Sequence, residues 1–119
     1  MANVLIVDDV RTDRELLGKV VSKAGHNPVY AADGDEVPAR VAESSPKLIF
    51  LDVVMPRTNG YAACRALKQD DTTKTIPVVL VTSKSSESDR FWAQRQGADD
   101  VVGKPYTSET ILEVMKRYL

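Results

Sequence analysis

Short apolar runs punctuate the chain, and each stops abruptly at polar or turn-forming residues. Val4-Leu5-Ile6-Val7 stops at Asp8-Asp9, Leu48-Ile49-Phe50-Leu51 stops at Asp52, and Ile76-Pro77-Val78-Val79-Leu80-Val81-Thr82 stops at Ser83. Continuous apolar runs of this length, bounded by turn residues, predict strands buried on both faces. Pro28 to Ala32 is a weaker run whose proline predicts an edge strand. Val101-Val102 is a short fifth strand, broken by Lys104-Pro105.

Helical periodicity fills the intervals. Thr12-Asp13-Arg14-Glu15 matches a capping box and predicts Thr12 as an N-cap. Leu17, Val20, Val21 and Ala24 follow as an inward stripe, and Gly25 ends the first helix. Asp33-Gly34-Asp35-Glu36 places acids at the start of a second helix, where Pro38 shifts the start or bends the first turns. Gly60, Ala63, Cys64 and Leu67 give a third helix, and Gln69 to Thr75 a polar loop. Ser83 to Gln96 reads as a loop and a fourth helix ended by Gly97. Thr107 to Tyr118 is a fifth helix, with Ile111, Val114, Met115 and Tyr118 inward.

Strand and helix therefore alternate along the whole chain. That order predicts an α/β sandwich with a five-stranded parallel sheet and helices on both faces. All strand ends then emerge on one edge, where an open α/β sheet places its chemistry. Asp8, Asp9, Asp52, Thr82 and Lys104 all fall at or just past such an end.

Composition narrows the class. At 119 residues the chain is the size of one domain, expected to span 1–119. Its 43% hydrophobic and 28% charged content is that of an ordinary globular protein. Sixteen basic and seventeen acidic residues leave a net charge of -1, with no general pull toward nucleic acid or anionic membrane. No apolar run approaches the roughly 20 residues of a membrane span, and no leader is visible. One cysteine, Cys64, excludes an internal disulfide, and the expected location is the cytoplasm. Cys64 reads as a packing residue and His26 as a loop residue.

Carboxylates meeting at one edge repel by about 4 kcal/mol per close pair at an effective dielectric near 20. They call for a cation, and all-oxygen ligation with room for water and phosphate suits Mg²⁺. Lys104 adds a positive charge and Thr82 a hydroxyl. Alone, an acid pair after a strand is most often a solvated loop, a lone Lys104 reads as a surface lysine and a lone Thr82 as a loop cap. Together they are the parts of a site that forms an acyl phosphate on an aspartate.

The run Asp8-Asp9, Leu51-Asp52-Val53-Val54-Met55-Pro56 with Asn59-Gly60, Val81-Thr82-Ser83, Gly97-Ala98-Asp99-Asp100 and Lys104-Pro105-Tyr106 resembles the receiver domain of two-component response regulators. It looks most like the stand-alone CheY-like kind. The resemblance covers nearly the whole chain and implies a flavodoxin-like fold with strand order 2-1-3-4-5. It implies Asp52 as phospho-acceptor, and Asp9, Asp52 and the Val54 carbonyl as direct Mg²⁺ ligands, with Asp8 acting mainly through water. Lys104 would pair with the phosphoryl group, its peptide bond to Pro105 would be cis, and Thr82 would turn toward the phosphate. The donor would be a phosphohistidine on a CheA-like sensor histidine kinase. The output would be a protein target met through the face of the fourth helix, fifth strand and fifth helix. Such a domain is not a turnover enzyme.

Receivers commonly carry Tyr or Phe three residues before the lysine, and here that position is Val101. The valine has no ring to rotate, which keeps open a receiver that binds partners without phosphorylation. Phe91-Trp92-Ala93-Gln94-Arg95-Gln96-Gly97-Ala98 also resembles the PilH-type regulators of twitching motility and related phototaxis systems. Phe91 and Trp92 do not both fit a helix with so few apolar positions, so one of them is expected to be partly exposed. A phosphatase of the haloacid dehalogenase kind would need an aspartate where Val54 stands. A flavodoxin-like nucleotide binder would not place Asp8-Asp9 against a bare phosphate.

Overall fold

The structure, a computed structural model, describes residues 1–119. Its elements alternate throughout: β1 (Asn3–Val7), α1 (Arg11–Lys23), β2 (Asn27–Ala31), a 3-10 turn (Gly34–Glu36), α2 (Val37–Ser44), β3 (Leu48–Leu51), α3 (Gly60–Gln69), β4 (Val78–Thr82), α4 (Glu87–Arg95), β5 (Asp100–Gly103) and α5 (Ser108–Tyr118). The strands form one parallel sheet in the order β2-β1-β3-β4-β5. This is the flavodoxin-like order that the family resemblance implied, with the proline-bearing β2 at an edge, as its proline predicts.

Strand side chains alternate between faces, and the core divides accordingly. Leu5, Val7, Ile49, Leu51, Val78 and Leu80 pack with Val37 of α2, Ala63, Cys64 and Leu67 of α3, and Ala93 of α4. Val4, Ile6, Leu48, Phe50, Val79, Val81 and Val102 pack with Leu17 and Val21 of α1 and Ile111, Val114 and Met115 of α5. Three helices cover one face and two the other. The central strands β3 and β4 are therefore buried at every position rather than at every second one.

The predicted cap of α1 is corrected. Thr12 is not the N-cap; Val10 is, and no side chain caps it. Asp8 Oδ1 accepts the Val10 amide at 2.9 Å, which turns the chain directly after β1 and starts the helix early. Glu15 pairs with Arg11 at 2.9 Å instead of reaching back. The stripe is corrected too: Ala24 is exposed, and Gly18 is buried in its place. Gly25 ends α1 with φ +88, its amide donating to Ser22 O and the His26 amide to Val21 O.

Pro38 acts through the helix start, as expected. A 3-10 turn capped by Asp33 precedes α2, and the proline falls in the first turn. β4 begins at Val78 rather than Ile76. Pro77 has no amide to give, although its carbonyl still accepts from the Ile49 amide at 3.0 Å.

Candidate functional site

Register brings the acids together. Val7 of β1 pairs with Leu51 of β3, so the next residues, Asp8 and Asp52, leave the sheet side by side. The Asp52 amide donates to Val7 O at 2.9 Å and fixes that relation. Thr82 is paired with Gly103, and the Lys104 amide donates to Thr82 O at 2.9 Å, which carries the lysine to the same edge. Lys104-Pro105 is cis.

Asp8 and Asp52 are buried, at 6% and 8% exposure, while Asp9 is exposed. One carboxylate oxygen from each of Asp8, Asp9 and Asp52 lies within 4.8 Å of the others. Lys104 Nζ sits 2.9 Å from Asp8 Oδ2 and 3.8 Å from Asp52 Oδ2. Burial pushes the Asp52 carboxyl above its ordinary value. Lys104 pulls it down, Asp8 pushes it up again, and the net direction is upward. Burial alone would lower Lys104, but hydrogen bonds to Asp8 and Asp13, with the charges of Asp8 and Asp52, raise it. One ammonium serves several carboxylates. Lys104 gains from all of them, and Asp52 receives only a share.

The set of donors fits a small, hard divalent cation: all oxygen, clustered, and open to water on the Asp9 side. Val54 follows in the loop after β3 and is exposed; its amide donates to Asp52 Oδ1 at 3.4 Å, a long contact. The chain approaches Asp52 closely again at Gly60, the first residue of α3. A Cβ there would lie 2.1 Å from the Asp52 carbonyl oxygen. Thr82 is fully buried, and its Oγ1 accepts the Lys84 amide at 3.0 Å.

Two acids near the site were not singled out from the sequence. Asp13, in the first turn of α1, takes Lys104 at 3.0 Å. Asp33, 3% exposed, accepts the Thr58 hydroxyl at 2.8 Å and the Arg57 amide at 3.3 Å, tying the loop after β2 to the loop that follows Asp52. These bonds, with the Asp35 amide, outweigh burial and hold its carboxyl below the ordinary range. The signal for Asp33 was present: it is an acid just past a strand, as Asp8 and Asp52 are.

Elsewhere, Cys64 is fully buried, and His26 Nδ1 accepts the Ala2 amide at 3.1 Å. Phe91 and Trp92 are both exposed, at 61% and 51%. α4 meets the sheet through the small Ala93, which leaves both rings outside. Val101 is partly buried against the core, and its carbonyl accepts from Arg90 of α4.

Comparison with known proteins agrees with this geometry. The model of the response regulator receiver domain matches residues 4–116. Protein PilH of Pseudomonas aeruginosa is 40% identical over 119 residues, covering 100% of this chain and 98% of the relative. Protein PilG of the same organism is 31% identical over 116 residues, covering 98% and 86%. Among solved structures, the Vibrio cholerae chemotaxis protein CheY4 superposes with a TM-score of 0.93 at 30% identity, covering 100% of this chain and 99% of that one.

Proposed function

The chain belongs to the response regulator receiver domain family, and from that membership we propose that residues 1–119 act as one phosphorylation-controlled switch with Asp52 as phospho-acceptor. The observation that carries this reading is the meeting of Asp8, Asp9, Asp52 and Lys104 at one sheet edge. Receiver domains are signalling modules within two-component systems, and the reading follows that role.

An Asp52 carboxylate oxygen attacks the phosphorus of a phosphohistidine on a sensor histidine kinase of the CheA kind. An O–P bond forms, the N–P bond breaks, and its electron pair returns to the imidazole, which takes up a proton. Asp8, Asp9 and Asp52, with the Val54 carbonyl, would hold Mg²⁺, whose charge would offset that of the carboxylates and phosphoryl oxygens. Lys104 supplies a fixed cation for a phosphoryl oxygen. Thr82 exchanges the Lys84 amide for the phosphoryl group. The readout is a changed affinity for a partner protein on the face formed by α4, β5 and α5, where Phe91 is exposed beside Val101, while Trp92 is exposed on the other side of α4, toward the loop after β3. The full-length similarity to Protein PilH supports a place in motility or taxis. No helix is long and apolar enough to cross a membrane, and we place the protein in the cytoplasm.

Mg²⁺ and acetyl phosphate should add the mass of one phosphoryl group, and Asp52→Asn should abolish the addition. Labelling that persists in Asp52→Asn overturns the assignment. Val101, in the place of the usual aromatic, favours the second reading of a phosphorylation-independent binder. That reading is adopted if intact protein takes up no phosphoryl group.

A further inference from the structure

Lys104 reaches past the cluster of three acids to a fourth. Its Nζ lies 2.9 Å from Asp8 Oδ2, 3.0 Å from Asp13 Oδ2 and 3.8 Å from Asp52 Oδ2. The first two are hydrogen bonds and the third is too long to be one. An ammonium has three N–H donors. Two are committed to Asp8 and Asp13, and the carboxylate left without one is the phospho-acceptor. Asp13 is the third residue of α1, and Lys104 is its only side-chain partner. Its side chain is 42% exposed against 8% for Asp8, so it takes the ammonium from the solvent side.

We propose that Asp13 is a positioning residue that holds Lys104 back from Asp52, so that an arriving phosphoryl group must win the lysine from Asp13. The inference rests on the phospho-acceptor reading above and deepens it. A phosphoryl group carries about two negative charges and three acceptor oxygens, more than a carboxylate offers. Asp8 is buried and keeps its bond. Asp13 is open to water and is resolvated cheaply when the lysine leaves. Asp13 therefore sets the threshold of the phosphorylated form without touching the phosphoryl group.

Beryllium fluoride, a phosphoryl mimic, is titrated with Mg²⁺ into the intact protein and followed by fluorine NMR. Asp13→Asn should bind it about 2- to 5-fold more tightly, the factor an exposed ion pair commands. Asp13→Glu, which keeps the charge, should return affinity toward the starting value. In a Lys104→Met background, Asp13→Asn should change nothing. Equal affinities in the first comparison overturn the proposal. So does an undiminished gain in the Lys104→Met background, since Asp13 would then act as a remote charge. If Lys104→Met binds no mimic, urea unfolding of the unaltered protein, Asp13→Asn, Lys104→Met and the double variant decides: additive losses mean the pair does not form, and the proposal falls. A starting protein that binds no mimic overturns the phospho-acceptor reading and this inference with it. Binding that ignores Asp13→Asn overturns this inference alone.

Discussion

Arg90 spans from α4 to β5, its Nη1 donating to the backbone carbonyl of Val101 at 3.0 Å. Its Nε donates to Ser85 O at 3.1 Å. One guanidinium thus ties the loop after β4 to the strand position where an aromatic is usual. Thr82 holds the same loop from the other side, through the Lys84 amide. Arg90→Ala should lower stability by about 1 kcal/mol, read as a lower urea midpoint. Amide exchange over residues 83–87 should quicken. Arg90→Lys should not restore either property, because a single ammonium lacks the planar fork. Unchanged exchange in Arg90→Ala would show that the loop is held by Thr82 alone.

Gly60 and Gly25 should respond differently to alanine. At Gly60 a Cβ would meet backbone, at 2.1 Å from Asp52 O and 2.6 Å from Val53 Cα. Backbone cannot step aside as a side chain does, so Gly60→Ala should cost roughly 1–3 kcal/mol or more and weaken phosphoryl uptake at Asp52. An added Cβ at Gly25 would meet no atom beyond its chain neighbours within 4 Å, and only the φ of +88 resists substitution. Gly25→Ala should cost about 1–2 kcal/mol and leave uptake alone. Parallel losses of uptake in both variants would mean that the Gly60 effect is stability and not geometry.

Much of this molecule is legible in the sequence because its strands are buried on both faces. Leu48 to Leu51 and Val78 to Val81 are apolar at every position, a signal that tertiary context does not blur. The stripe Gly60, Ala63, Cys64 and Leu67 is the buried face of α3. The misses lie where one side chain competes for a backbone group. Thr12 fits a capping box as a string, but Asp8 takes the Val10 amide first. Ser86-Glu87-Ser88-Asp89 is a capping box in fact, inside a polar stretch with no apolar rhythm to draw attention to it. Asp33 reads as a helix-opening acid and Asp13 as an interior position of a capping-box string, and neither reading excludes a site role. Only three-dimensional placement puts Asp13 beside Lys104, ninety-one positions away.

Asp52→Asn should stabilise the protein at neutral pH. The folded-state carboxyl is raised above its ordinary value by burial, so the folded state favours its protonated form. Its contribution is fully present below the unfolded value near 4 and is lost as pH rises through the folded value. Above that window the ionised Asp52 is a cost, which asparagine removes. The urea midpoint of Asp52→Asn should exceed that of the unaltered protein at pH 7, with a smaller difference at pH 3. A difference that shrinks toward neutrality would mean that Lys104 already compensates Asp52 in full.

Phe91 and Trp92 project from α4 with half or more of each exposed, and Arg95 lies 5.9 Å from the Phe91 ring centroid. Buried aromatics cost about 3–5 kcal/mol on truncation. Here Phe91→Ser and Trp92→Ser should each change stability by no more than about 0.5 kcal/mol. Partner capture on the α4, β5 and α5 face should fall sharply with Phe91→Ser, the ring beside Val101. A large stability loss on either substitution would place that ring in the core.

Cys64 gives the sharpest pH test, because its burial is complete and its chemistry simple. Its Sγ donates to Gln96 O at 3.7 Å, and burial pushes the thiol up to about 11, with Lys68 lowering and Asp99 raising it to lesser extents. Thiolate is the reactive form, so a maleimide at pH 8 should leave the folded protein unlabelled and modify it fully in urea. The folded pKa is raised, so the folded state holds the proton more tightly than the unfolded chain. The stabilisation is whole below about pH 9 and is lost as pH climbs toward 11, where it stops changing. Over those roughly two units the loss is on the order of 2–3 kcal/mol. Other groups titrate in the same window, so the unaltered protein must be compared with Cys64→Ala. The alanine variant should start lower by about 1 kcal/mol or more for the lost packing and should fall less steeply between pH 9 and 11. Parallel curves for the two proteins would show that the thiol ionises without opening the core, and that Cys64 is less enclosed than its neighbours Ala63 and Leu67 suggest.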